Sequence, residues 1–245
     1  MPWLRLLYVY SAGLTPRLLE LMARESRVLP YLDMPIQHAS DEVLKRMRRP
    51  ERRATIRERV ARIRDAVPDV AIRTTCIVGF PGEHDEDFES LLTFLEEMQF
   101  ERVGAFTYSP QEGTRAAALA DDVPEGTKRE RLERLVDLQR MITADRYERR
   151  VGRVARAIVD RVDPDGTAEV RCFWQADDID GITRVACEGS AVTPGSLIDV
   201  AIEGVVDDYD FQGSLVRVAV GRPTSVPSRM RALPVIGGSL GSYGR

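Results

Sequence analysis

The feature that most limits what this chain can fold into is a change of period near residue 150. Before it, four short apolar runs, at residues 4–9, 28–36, 70–80 and 102–108, alternate with stretches of helical spacing. Near-continuous apolar strands separated by amphipathic helices predict a parallel sheet covered by helices. Ile56, Val60 and Ile63 share one helical face, with Thr55 and Glu58 predicted as a capping box in front of them. Phe88, Leu91, Leu92, Leu95 and Met98 repeat the pattern behind Asp85, Glu86 and Asp87, an acidic first turn that suits a helix N-terminus. A long helix is predicted from Pro124 to about Tyr147, with Leu132, Leu135, Val136 and Ile142 on its apolar stripe. Residues 154–159, 168–172, 197–202 and 215–220 then alternate apolar and polar around Gly and Asp turns, the pattern of a small β-barrel. The predicted division is an α/β unit at 1–147, an all-β barrel at 148–221 and a poorly ordered tail at 222–245, rich in Pro, Gly and Ser.

Composition excludes several classes. A net charge of -4 with 43% hydrophobic residues is that of an ordinary globular protein. The apolar stretch from Trp3 to Tyr10 is interrupted by Arg5 and falls short of the roughly 20 residues that span a bilayer. No membrane partner and a cytoplasmic location are therefore expected. The cysteines, Cys76, Cys172 and Cys187, form neither a C-x-x-C pair nor a disulfide framework, so they read as small buried apolar residues and no metal set is expected in this chain. Between Val151 and Gly221, six arginines stand against thirteen acids, a net of -7. Such a field repels phosphate and attracts a basic partner.

Polar residues collect where the predicted strands of the first unit end. The second strand ends in YLDMPIQH, with Asp33, Gln37 and His38; the third in IVGFPGE, with Gly79, Gly82 and Glu83; the fourth in TYSPQEGT, with Tyr108, Ser109, Glu112 and Gly113. In alternating β and α units, function collects at this end of the strands. Taken singly, each has a plainer reading: Gly-Phe-Pro-Gly as a tight turn, His38 as hydrogen-bonded scaffolding, Asp33 as a cap on a backbone amide. Together they imply one pocket, whose chemistry spacing does not reveal.

The segments YLDMPIQHASDEVLKRMRRP, IRTTCIVGFPGEHDEDFESLLTFL and RVGAFTYSPQEGTRAA, in this order, resemble the radical S-adenosylmethionine methylthiotransferases. WLRLLYVY and VPEGTKRERLERLVDLQ, leading into the barrel, are similar to the same family, and YLDMPIQHAS with IRTT is nearest its RimO-type branch. The resemblance implies a partial radical SAM (β/α) barrel followed by a TRAM barrel of OB-like form. It also implies methylthio transfer to the β-carbon of an aspartate in small ribosomal subunit protein twelve. Gln37 and His38 would lie near the ribose or methionine part of S-adenosylmethionine. Gly79, Phe80, Pro81, Gly82 and Glu83 would pack against it, and Phe106 and Tyr108 would face the adenine. Asp33, Asp207, Asp208 and Asp210 would meet the macromolecular substrate. The family uses two [4Fe-4S] clusters, and the C-x-x-x-C-x-x-C loop that holds one is absent from this sequence. The expectation is a piece of a longer enzyme, inactive alone, which starts at the family's third barrel strand. The alternatives are a tRNA methylthiotransferase of the MiaB type or a non-catalytic docking protein.

Overall fold

The structure, a computed structural model, describes residues 3–187 and 189–219, so the predicted tail lies outside the described residues. Strands β1 (Leu4–Leu6), β2 (Val28–Asp33), β3 (Ala71–Val78) and β4 (Arg102–Thr107) form one parallel sheet in sequence order. Helices α1 (Pro16–Arg24), α2 (Asp41–Arg46), α3 (Arg53–Ala66), α4 (Asp85–Met98) and α5 (Glu125–Glu148) occupy the connections and the segment after β4.

Strand parity explains the sheet's two faces. Leu32, Ile72, Cys76 and Val78 are buried in one core with Ile56, Val60 and Ile63 of α3 and Phe88, Leu91 and Leu95 of α4. The residues of opposite parity pair in register as Asp33 with Arg73, Arg73 with Arg102, Thr75 with Gly104 and Ile77 with Phe106. That face is polar, and Phe106 stands 57% exposed on it. β2 leaves the ladder after Asp33, and Gln37 rejoins it opposite Cys76 at a φ of 70°.

One predicted boundary is corrected. Thr55 is not the cap of α3 but its third residue, with its hydroxyl 2.9 Å from the Arg52 amide. The helix starts earlier because the Asp41 carboxylate accepts from the Arg53 amide at 2.7 Å, a cap supplied from twelve residues away.

The second unit is a closed barrel in the order β5-β6-β7-β9-β8, formed by β5 (Val154–Val162), β6 (Thr167–Cys172), β7 (Thr183–Ala186), β8 (Leu197–Val206) and β9 (Asp210–Val218). Its interior is filled by alternate residues such as Ala157, Val170, Val185, Val200 and Phe211. Closure leaves no free sheet edge. β8 and β9 approach so closely that a Cβ on Gly213 would lie 2.5 Å from the Ala201 carbonyl oxygen.

The barrel seats against the polar face of the sheet, since Leu29, Tyr31 and Ala71 belong to the barrel's core cluster. The Tyr31 hydroxyl donates to Asp180 Oδ2 at 2.5 Å. Asp180 also accepts from the Ala176 amide at 3.0 Å and lies 3.5 Å from Arg102 and 3.9 Å from Arg73. Burial, and then the Asp180 charge, push the Tyr31 phenol upward. Among the described residues no helix is long and apolar enough to cross a membrane.

Candidate functional site

The C-terminal ends of β2, β3 and the segment after β4 surround a cavity of about 480 Å³. Gln37, Ile77 and Phe80 line its floor, Thr114 and Ala116 one wall, and Arg46, Arg48, Arg49 and Arg115 its rim. The side-chain oxygen of Gln37 is buried and has no hydrogen-bond partner among the described residues. A buried acceptor of that kind is costly unless something donates to it.

The Gly79–Glu83 turn is built from the chain's own carboxylates. Glu83 Oε2 accepts from the Gly79 amide at 2.8 Å and from the Phe80 amide at 3.3 Å, and Oε1 accepts from Arg131 at 2.9 Å. The Gly82 amide donates to Asp122 at 2.7 Å. Gly79 has a φ of 71°, and a Cβ there would sit 2.3 Å from Lys128 Cγ, so no other residue fits without displacement. Lys128 is held below the turn by Asp121 at 2.7 Å and Glu125 at 2.8 Å.

His38 is fully buried in this wall, with Nδ1 accepting from the Ser40 amide at 2.9 Å and Nε2 3.5 Å from Glu83. Phe80 packs edge-on against Tyr108, with ring centroids 5.0 Å apart, in a small cluster with Val43. Gln37, Phe80, Pro81 and Gly82 thus border two adjoining cavities, while His38, Glu83 and Tyr108 form the wall behind them. Phe106 stands apart on the polar face. Asp33 is 1% exposed and accepts from Arg73 at 2.9 Å. On the barrel, Asp208 accepts from Arg140 of α5 at 2.9 Å and Asp210 from the Ile182 amide at 2.9 Å, while Asp207 occupies a turn at a φ of 56°. The rim arginines went unread in the sequence. RMRRP was visible there, but Arg115 joins it only through the fold.

The three cysteines do not fit an iron-sulfur cluster. Cys76 lies in the sheet core and Cys172 and Cys187 in the barrel core. Burial pushes the Cys76 and Cys172 thiols up to about 12, whereas a cluster ligand is a thiolate. Among the described residues, no three His, Cys, Asp or Glu side chains converge as a metal site.

Comparison with known proteins accords with this architecture. The profile of the Radical SAM superfamily matches residues 2–95, and that of the TRAM domain matches residues 151–216. These two matches define the architecture as a radical SAM domain at residues 2–95 followed by a TRAM domain at residues 151–216. More particularly, it is similar to the ribosomal protein uS12 methylthiotransferase RimO. It is 46% identical to that of Vibrio vulnificus, over 88% of this chain and 45% of the relative, and 45% identical to that of Mannheimia succiniciproducens, over 86% and 47%. The chain spans about half the length of these relatives. The solved coproporphyrinogen III oxidase HemN of Escherichia coli, a radical SAM enzyme, superposes with a TM-score of 0.48 at 18% identity, over 56% of this chain and 32% of that one.

Proposed function

We propose that this chain forms part of a RimO-type methylthiotransferase, which adds a methylthio group to the β-carbon of an aspartate in ribosomal protein uS12. The observation that carries the reading is 46% identity to RimO over 88% of the chain. In this reading the mouth of the parallel sheet takes S-adenosylmethionine. That cofactor supplies a methyl group and, on reductive cleavage, a radical that abstracts hydrogen. Gln37 offers it an unpaired amide oxygen, Ile77 and Phe80 an apolar floor, and Phe106 an exposed ring face for a purine. Gly79, Pro81 and Gly82 shape the turn beside it, and His38, Glu83 and Tyr108 hold that turn. The cysteines of the described residues do not fit either of the two [4Fe-4S] clusters of the family.

The barrel is the element that receives the basic ribosomal protein. Five of its six arginines are engaged internally: Arg156 and Arg217 face Asp199, Arg161 and Arg184 face Glu169, and Arg171 faces Asp160, while Arg153 lies 3.7 Å from Asp69 of the first unit. Asp165, Asp178, Glu203 and Asp207 have no basic partner among the described residues. That leaves an outward acidic field suited to a cationic protein.

Two experiments test this. In the first, this sequence replaces the corresponding stretch of the Vibrio vulnificus relative, in cells lacking their own enzyme, and uS12 is weighed by mass spectrometry. A methylthio adduct on uS12 is expected; an unmodified uS12 beside a well-expressed chimera overturns the assignment. In the second, the chain is titrated with uS12 and with tRNA at equal salt. Tighter binding to uS12 is expected, and tighter binding to tRNA that an unrelated RNA hairpin does not compete away moves the chain to the MiaB type.

A further inference from the structure

We infer that the arginine rim of the sheet's mouth is a docking surface for the phosphate backbone of RNA, separate in role from the acidic barrel. The inference rests on the charge and geometry of the rim and not on the ribosomal reading above.

The cavity bordered by Arg46, Arg48, Arg49 and Arg115 adjoins a second, of about 560 Å³, which shares Arg46 and Arg48 and adds Lys45. The two form an open cleft rather than a closed cup. Among the described residues, Lys45, Arg48, Arg49 and Arg115 lie within ion-pair distance of no carboxylate, although Glu42 borders the second cavity. Arg46 donates to the Gly82 carbonyl, and Arg49 lies over the Tyr10 ring at 5.5 Å. The helix α2 dipole accounts for cations in its last turn, Lys45 and Arg46. It does not account for Arg115, which arrives from the segment after β4.

Arg48 adds a second observation. It holds a φ of 57° just past α2, a position where glycine or asparagine is the usual occupant. A long cation is kept there against the backbone's preference.

The ligand is a polyanion rather than a compact phosphate, because the backbone amides that would cradle one are taken. Those of Gly79 and Phe80 bond Glu83, and that of Gly82 bonds Asp122. What remains is a group of side-chain cations around the cleft, exposed at Lys45, Arg46, Arg48 and Arg115 and half-exposed at Arg49, which suits several phosphates of one strand.

The test is fluorescence anisotropy of a labelled RNA hairpin with the full chain across a salt series, with no cofactor present. The double variant Arg48→Gly/Arg115→Ser is compared with Arg161→Glu on the barrel. Glycine relieves the backbone at position 48, so the double variant is expected to melt no lower than the parent. It should nevertheless bind RNA about tenfold more weakly, and the slope of log affinity against log salt should fall by about two. Arg161→Glu alters the net charge by the same two units at a place away from the rim, so it should change neither by more than that general electrostatic effect. Unchanged affinity in the double variant overturns the proposal. So does adenosine monophosphate binding as tightly as the hairpin and displacing it, which would make the rim a small-ligand site.

Discussion

In the barrel, Arg156, Arg161, Arg171, Arg184 and Arg217 each face a carboxylate, whereas at the mouth of the sheet Arg48, Arg49 and Arg115 face none among the described residues. The same contrast holds for the backbone. The barrel closes on itself strand by strand, while the sheet keeps one polar face and an unpaired Gln37 oxygen. The lesson is that self-sufficiency marks the part that holds its shape alone, and unmet valence marks where a ligand completes the structure.

The sharpest way to break this comparison is at the place where the two regions meet. Asp180→Ala leaves the Tyr31 hydroxyl and the Ala176 amide without their acceptor and removes the charge facing Arg73 and Arg102. Breaking a buried ionic network of this kind costs about 3–5 kcal/mol. Urea unfolding should show that loss; a change under about 1 kcal/mol would mean the junction contributes no more than a surface ion pair.

A smaller effect separates the two regions through their glycines. In Gly213→Ala the new methyl meets the Ala201 carbonyl at 2.5 Å, and backbone inside a closed barrel cannot step aside. In Gly79→Ala it meets the Lys128 stem, which can shift, although a φ of 71° adds strain. Expected losses in the same urea experiment are about 2–3 kcal/mol and about 1–2 kcal/mol respectively. The reverse order would show that the sheet's turn is the stiffer element.

The pH response sharpens the account of the junction. Burial raises the phenols of Tyr31 and Tyr147 above their usual value. Their contribution to stability is therefore complete below the unfolded value of about 10 and is lost as pH rises beyond it. In an ultraviolet titration these two of the seven tyrosines should ionise only together with unfolding. Reversible ionisation of every tyrosine in the folded protein would contradict the packing described.

The smallest effect expected is the labelling of the thiols. Cys76, Cys172 and Cys187 are all buried, so a thiol reagent at mild alkaline pH should react with none of them quickly until denaturant is added. Rapid labelling of Cys172 or Cys187 alone would mean that the barrel opens more readily than the sheet.

These differences also bear on what was legible in the sequence. β3 and β4 were readable because continuous apolar runs are local signals, and α5 was readable in extent but not in its buried face, since Val136 of the predicted stripe is exposed while Lys128, Arg131, Gln139 and Thr143 are buried. β7 was not, since Thr183–Ala186 is four residues long and carries an arginine. The pocket's position at the strand ends was readable, and the division of labour within it was not. His38 and Glu83 look like ligand contacts in one dimension, but the fold turns them onto each other and onto the backbone. Asp207, Asp208 and Asp210 read as an acidic docking run, yet two of them are occupied by Arg140 and the Ile182 amide. The bond between Tyr31 and Asp180 joins residues 149 positions apart, beyond any periodic pattern.

The Gly79–Glu83 turn, with its amides already satisfied by Glu83 and Asp122, has a calorimetric consequence. A loop that folds around its ligand contributes a large unfavourable ordering entropy and extra heat-capacity change to binding. This turn is ordered beforehand, so a ligand entering the mouth meets a rigid wall and gives up only its own freedom. The heat-capacity change of such a ligand should then be that of its buried apolar surface alone.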